Sequence, residues 1–337
     1  MTATTYWQGK TALVTGPTGL VGSWLCASLA GQGAQVVALV RDSDPQSELF
    51  RSGAGRRTRI VNGDLADFAT VERALVEHEA DTVFHLGAQA IVAVGDELPL
   101  LTFESNIRGT YNLLEAARRH PKIAQRVVVA SSDKAYGAQP NLPYTEDMPL
   151  NGRRPYEVSK SCADLLATCY FETYKLPVGI ARCGNIYGGG DLNWSRLVPD
   201  TIRSTLQGRP LQIRSNGKFV RDYVYVRDVV GAYETLAHAL DDPGLQGEAF
   251  NFSPERPYSV LEVVREILAL MEAPGLEPII LDIAEGEIPS QYLDSGKARS
   301  RLGWNPSYTL REGLVETIEW YRAFLANPAV PAEAPLS

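Results

Sequence analysis

Between Thr11 and Leu29 the chain runs through a short apolar stretch, Thr11-Ala12-Leu13-Val14-Thr15. The loop Gly16-Pro17-Thr18-Gly19-Leu20-Val21-Gly22 follows, and from Leu20 to Leu29 the pattern is helical. A buried strand that turns through three glycines into a helix is the opening of a βαβ unit. Glycine lets backbone approach a pyrophosphate closely, and the amino end of the helix favours its negative charge. A glycine pattern alone is weak evidence. With a strand before it and a helix after it, it reads as a dinucleotide-binding loop, and the chain must then build a parallel sheet with helices on both faces.

Gln35 to Val40, Arg59 to Asn62, Thr82 to His85, Val127 to Ala130 and Pro177 to Arg182 continue the series as apolar, β-branched runs. Each ends in polar or glycine-containing loops: Arg41-Asp42, Gly63-Asp64-Leu65, Leu86-Gly87-Ala88-Gln89, Ser131-Ser132-Asp133-Lys134 and Gly184-Asn185. In a doubly wound sheet, ligands lie beyond the carboxyl ends of the strands, so these loops converge on one site. The spacing predicts helices over Thr102–His120, from Tyr156 onward, over Ser259–Met271 with a serine cap, and over Leu310–Leu325. After Gly190 the strand–helix alternation loosens, and a second, smaller lobe is expected from there.

The chemistry is placed at the end of the fifth strand and at the start of the following long helix. Pro155 stands at or just before its first turn, and Tyr156 and Lys160 share one helix face. A free phenol ionises near pH ~10, and a neighbouring cation favours the ionised form. Such a pair is a workable general base, although Tyr-x-x-x-Lys by itself is more simply an exposed helix pair. Ser132 can donate to the same substrate oxygen.

These residues, with Gly-x-x-Gly-x-x-Gly at positions 16–22, resemble the extended short-chain dehydrogenases/reductases that act on nucleotide sugars, and among them the 4,6-dehydratases. The resemblance runs from about Trp7 to Leu325. It implies a Rossmann-type doubly wound α/β fold with a smaller C-terminal α/β substrate lobe. Residues 1–190 would form the dinucleotide-binding domain, rejoined by some later segments; 191–326 would form the sugar-nucleotide lobe, and 327–337 a mobile tail.

The resemblance further implies a site. Gly16, Thr18, Gly19, Leu20, Val21, Gly22, Arg41, Asp42, Asp64, Leu65, Leu86, Gly87, Ala88, Gln89, Tyr156 and Lys160 would hold the dinucleotide, with Lys160 also lowering the Tyr156 pKa. Arg41 favours NADP and Asp42 favours NAD; the dehydratases acting on CDP- or dTDP-sugars use NAD, which is the expectation, with NADP open. Gln89, Ser132, Asn185, Arg196, Arg214 and Arg221 would hold the substrate, and Arg221 suits a diphosphate because a guanidinium bonds two oxygens at once. Many relatives carry a phosphate-binding arginine near Gln291, which this chain lacks. His85 is expected to be structural.

In the implied reaction the sugar is oxidised transiently at carbon 4, with Ser132, Asp133, Lys134, Tyr156 and Lys160 as the catalytic set. Asp133 would serve as the acid for the departing 6-hydroxyl and Lys134 as the base at carbon 5, giving a 4-keto-6-deoxy sugar. An Asp–Lys ion pair bracing the strand end is the plainer reading of that dipeptide. A nucleotide-sugar 4-epimerase would share everything but this pair. A non-catalytic dinucleotide sensor would leave the tyrosine, lysine and serine without a purpose.

Net charge is -8, with no lysine or arginine run longer than a pair, so neither nucleic acid nor an anionic membrane is expected as a partner. Cys26, Cys162, Cys169 and Cys183 lack metal-ligand spacing; buried free thiols, no metal and a cytoplasmic location are expected. In the resembled family the helices from Thr102 and from Tyr156 form a four-helix bundle in a homodimer, which is the expected assembly.

Overall fold

The computed structural model describes residues 6–284 and 286–326. Its centre is a seven-stranded parallel sheet of β1 (Thr11–Thr15), β2 (Gln35–Val40), β3 (Thr58–Asn62), β4 (Thr82–His85), β5 (Arg126–Ala130), β6 (Val178–Cys183) and β10 (Ala249–Phe252). The order is β10-β6-β5-β4-β1-β2-β3, so the direction of winding reverses between β1 and β4. Alternation along the strands divides the core in two. Ala12, Val14, Phe84, Val128 and Phe250 face α1 (Leu20–Gly31) and α6 (Val226–Ala239). Leu13, Val37, Val83, Val127, Val129 and Ile180 face α2 (Phe68–Val76), α3 (Gly109–Arg119) and α4 (Pro155–Tyr174). Strands buried on both faces need the near-continuous apolar sequence that these have.

A smaller sheet is centred on β9 (Val220–Tyr225), which pairs with β7 (Asn185–Tyr187), β11 (Pro257–Ser259) and β13 (Ser290–Gln291). Only β11 runs antiparallel to β9. Its core of Tyr187, Ile202, Tyr223, Tyr225, Ile267, Leu314 and Tyr321 is closed by α5 (Leu197–Leu206), α7 (Val260–Leu270) and α8 (Leu310–Ala326). α7 begins with the expected cap: the Ser259 hydroxyl accepts from Glu262 N while Glu262 accepts from Ser259 N. A two-stranded parallel sheet joins β8 (Gln212–Ile213) to β12 (Ile279–Ile280). The second sheet thus takes its first strand from β7, before Gly190, and α6 with β10 then carries the chain back to the large sheet.

Three local expectations are corrected. The helix expected from Thr102 begins at Pro99 and is widened over Glu104–Arg108 before continuing as α3, so that Asn106 turns toward the loop after β4. Asn185 lies in a strand paired with Tyr223 instead of a glycine-rich turn. Cys26 and Cys183 are buried, but Cys162 is only half-buried and Cys169 is exposed, because α4 covers the sheet with its other face. The expected mobile tail, 327–337, lies outside the described residues.

Candidate active site

A cavity of about 910 Å³ opens along the carboxyl ends of β1, β2, β4, β5 and β6 and is roofed by the smaller sheet. Its floor is the glycine loop. Gly16 has φ +67°, and a Cβ there would stand 2.8 Å from Gly87 Cα; one on Gly22 would stand 2.1 Å from Gly16 O. The loop can therefore nest against the β4 loop only with glycine at both places. No side chain caps α1 and no acid lies in its first turn, so its amino-terminal N–H groups are left for an anion. This cradle fits a dinucleotide diphosphate.

Thr18, Gly19, Leu20, Val21, Arg41, Asp42, Asp64, Leu65, Leu86, Ala88 and Gln89 line the same cavity. Arg41 and Asp42 are exposed at the end of β2 and bond each other, Nε to Oδ2, at 2.6 Å. Gln89 is tied at both ends: its N–H donates to Asn106 Oδ1 and its side chain closes on Ile91. Asn106 also donates to Gln89 O and Ser159 Oγ, each at 2.9 Å, fixing the β4 loop to α4. His85 is buried between the hydroxyls of Thr15 and Thr110, at 3.0 and 2.9 Å, and burial pushes its pKa down to about 3; it is a structural residue.

Tyr156 and Lys160 stand on the first two turns of α4, whose start is set by Pro155 and by Glu157, which accepts from the N–H groups of Arg153 and Arg154. The phenol lines the cavity within hydrogen-bond reach of Ser132. Burial pushes its pKa up to about 12; the positive charge of Arg196 opposes this, and Ser132 opposes it too. Lys160 stands one turn further along the same helix. Its amine is buried and donates to Ala130 O at 2.7 Å, and burial lowers its pKa to about 8. Arg196, held by Asp191 at 2.9 Å, is a cation that favours the phenolate.

Ser132, Asp133 and Lys134 occupy the turn Asp133–Tyr136 directly after β5. That turn is braced from below. The Tyr136 hydroxyl donates to Asn251 Oδ1 at 2.8 Å and accepts from Arg182, which bonds both oxygens of Asp164 at 2.8 Å. Asp133 is buried; its Oδ1 accepts from Ser132 Oγ at 2.9 Å, and its Oδ2 has no hydrogen-bond partner among the described residues. The Lys134 amine lies 3.6 Å from that oxygen and donates its hydrogen bond to Gln291 Oε1. Burial lowers the Lys134 pKa and Asp133 opposes that shift.

Asn185, Arg196, Arg214 and Arg221 also line the cavity. Asn185 donates to Asp222 O at 3.4 Å. Arg214 is exposed at the rim. Arg221 donates to the carbonyls of Val220, Pro289 and Ile288, pinning the loop before β13 to β9. Among the described residues, no group of three or more His, Cys, Asp or Glu is placed to hold a metal ion, and no helix is long and apolar enough to cross a membrane.

Sequence reasoning missed two residues. Gln291 was noted only as a lost arginine, yet it is buried and bonds both Lys134 and, from Nε2, Asp133 O at 2.8 Å. Asp222 lies fully buried on β9, with Oδ2 accepting from Leu293 N at 3.2 Å and Oδ1 without a hydrogen-bond partner among the described residues. Burial, then the neighbouring Asp133, raises its pKa to about 7. The signal available for Asp222 was an acid directly before the apolar run Tyr223-Val224-Tyr225.

Residues 13–317 match the family described as GDP-mannose 4,6 dehydratase. The CDP-glucose 4,6-dehydratase of Salmonella typhimurium is 33% identical over 95% of this chain and 92% of its own length. The UDP-glucose 4-epimerase of Mycolicibacterium smegmatis is 31% identical over 92% of this chain and 98% of its own. The dTDP-glucose 4,6-dehydratase of Streptomyces venezuelae, solved with NAD bound, superposes with a TM-score of 0.85 at 28% identity, covering 94% of this chain and 99% of that one.

Proposed function

The chain belongs to the nucleotide-sugar dehydratase and epimerase family of extended short-chain dehydrogenases/reductases, NAD-dependent enzymes, and on that premise we propose that it is a nucleotide-sugar 4,6-dehydratase. The observation that carries this reading is the position of Asp133 and Lys134. An acid and an amine face one cavity beside Ser132 and Tyr156, as an elimination at carbons 5 and 6 needs and an epimerisation at carbon 4 does not.

NAD is the proposed cofactor, held by the glycine cradle, Asp42, Asp64 and the β4 loop; when bound, its nicotinamide would supply the acceptor for the carbon-4 hydrogen as hydride and the donor of that hydride to carbon 6. Tyr156 takes the proton of the sugar 4-hydroxyl, while Ser132 donates to the 4-oxygen. Arg196 holds a positive charge near the phenolate. The ketone at carbon 4 acidifies the hydrogen on carbon 5. Lys134, as a neutral amine, accepts that proton, and Asp133 protonates the departing 6-hydroxyl, which leaves as water. Arg221, Arg214 and Asn185 are the proposed contacts to the substrate's nucleotide diphosphate and sugar.

The test is incubation with NAD and a panel of CDP-, dTDP-, UDP- and GDP-hexoses, read by mass spectrometry. Loss of one water is the expected result. An isomer of unchanged mass would replace the reading with a 4-epimerase, which the match to the Mycolicibacterium smegmatis enzyme over nearly the same span supports. No turnover of any sugar would leave a binding protein. Thermal stabilisation by the same panel selects the nucleotide, since a tight ligand raises the melting temperature by mass action.

We also propose a homodimer. Leu100, Leu101 and Tyr111 on the 99–119 helical stretch and Leu165 on α4 are exposed, at 72, 43, 41 and 58%, on helices that pack side by side. Sedimentation or light scattering tests it.

A further inference from the structure

A buried carboxylate and a partly buried amine side by side on one turn normally bond each other, and the bond fixes both as ions. Asp133 and Lys134 do not. Their closest approach, 3.6 Å between Nζ and Oδ2, is an ion-pair distance without a hydrogen bond, and Oδ2 is left without a hydrogen-bond partner among the described residues. The amine turns instead to the carboxamide oxygen of Gln291, a wholly buried residue from β13 of the smaller sheet. The other end of that carboxamide donates to Asp133 O at 2.8 Å, so both of its polar atoms are spent on this one turn. β13 is itself registered on β9 through the pairing of Gln291 with Arg221.

We propose that Gln291 is a positioning residue whose uncharged carboxamide holds the Lys134 amine at the cavity wall and off the Asp133 carboxylate. The inference rests on the reading of Lys134 as the group that accepts the carbon-5 proton. A carboxamide oxygen is an acceptor with no net charge. It orients the amine without the full negative charge that would keep it an ammonium, and without the positive charge of an arginine, which would repel it. The charged groups that act on the amine are Asp133 on its own turn, Arg221 and Asp222 on β9, and Glu157 on α4. None of them stands where Gln291 does.

The test uses Gln291→Glu and Gln291→Leu in the full-length protein with NAD. Each is checked first by thermal unfolding. The pH dependence of acetic anhydride labelling of Lys134, resolved by mass spectrometry against exposed Lys218, reads the ionisation of the amine without relying on turnover. Steady-state kinetics on the hexose nucleotide that the wild type dehydrates separates kcat from KM. Gln291→Glu is expected to move the labelling midpoint upward by about one pH unit or more. It should lower kcat by about tenfold or more near neutrality, with KM little changed and part of the loss recovered at alkaline pH. Gln291→Leu, which keeps a buried side chain in place if the charged variant does not fold, is expected to move the midpoint the same way, because the released amine closes on Asp133. Labelling midpoints and kcat profiles that match the wild type in a folded variant would overturn the proposal. Wild-type protein that dehydrates no sugar would overturn the functional reading alone, and the labelling result would still decide whether Gln291 governs the amine.

Discussion

In the glycine-loop half of the cleft the wall is mostly backbone, supplied by the consecutive residues 16–22 and the β4 loop pressed against them. In the Lys134 half it is side chains, brought together from the turn after β5, the start of α4, the loop at Asp191 and Arg196, β9 and β13. A backbone cradle depends on what its residues lack, and the penalty for adding a methyl group there is steric. A side-chain cluster depends on which groups meet, and the penalty for changing one is electrostatic. The first kind of site can be shared by enzymes of different reactions; the second is where one reaction can be told from another.

The two halves should come apart under mutation. Tyr156→Phe removes the group proposed to take the first proton and leaves the cradle intact. Turnover should fall by about 10²–10⁴-fold, while the affinity for NAD, measured by calorimetry, stays close to wild type. A parallel loss of NAD affinity would mean that the halves are not separable. Asp133→Asn sharpens the comparison within the catalytic half. Water release should fall by about 10²-fold or more, read by mass spectrometry of the product. A 4-epimerase would lose much less, so near-normal turnover would count against the dehydratase.

Gly22→Ala attacks the other half. Its Cβ would stand 2.1 Å from Gly16 O, so the loop must open. NAD affinity should drop by about tenfold or more, with the second sheet unaffected, as hydrogen exchange would report.

The smallest effect expected is on stability. Folded Asp222 has its pKa raised to about 7 from an ordinary 3.8, so the folded state binds the extra proton between those values. Its contribution is fully present below about pH 4 and is lost as pH rises through 7. Asp222→Asn should flatten that part of the dependence of melting temperature on pH by a few degrees. An unchanged slope would show that Asp222 does not titrate there.

How far the sequence could be read follows the same division. The parallel sheet was legible because each strand is a short β-branched run closed by a glycine or polar loop, and its alternation needs no partner to be recognised. The start of α4 was legible because Pro155 fixes its first turn. The widening at Glu104–Arg108 was not, since it goes with the pair of bonds exchanged between Asn106 and the distant Gln89. The hydrogen bond made by Lys160 was not legible for the same kind of reason. Helical spacing places it on one face with Tyr156 but is silent about the Ala130 carbonyl, thirty residues away, that takes its hydrogen bond.

The order of residues 11–29 alone determined that this chain would wind a sheet around a dinucleotide-type loop, because strand, glycine turn and helix start are set by forces acting within a few residues. That Lys134 would bond Gln291 instead of its neighbour Asp133, across 157 positions, was decided only when β13 settled on β9. Buried polar groups take whichever partner the packed chain presents, and that choice is made by the whole fold.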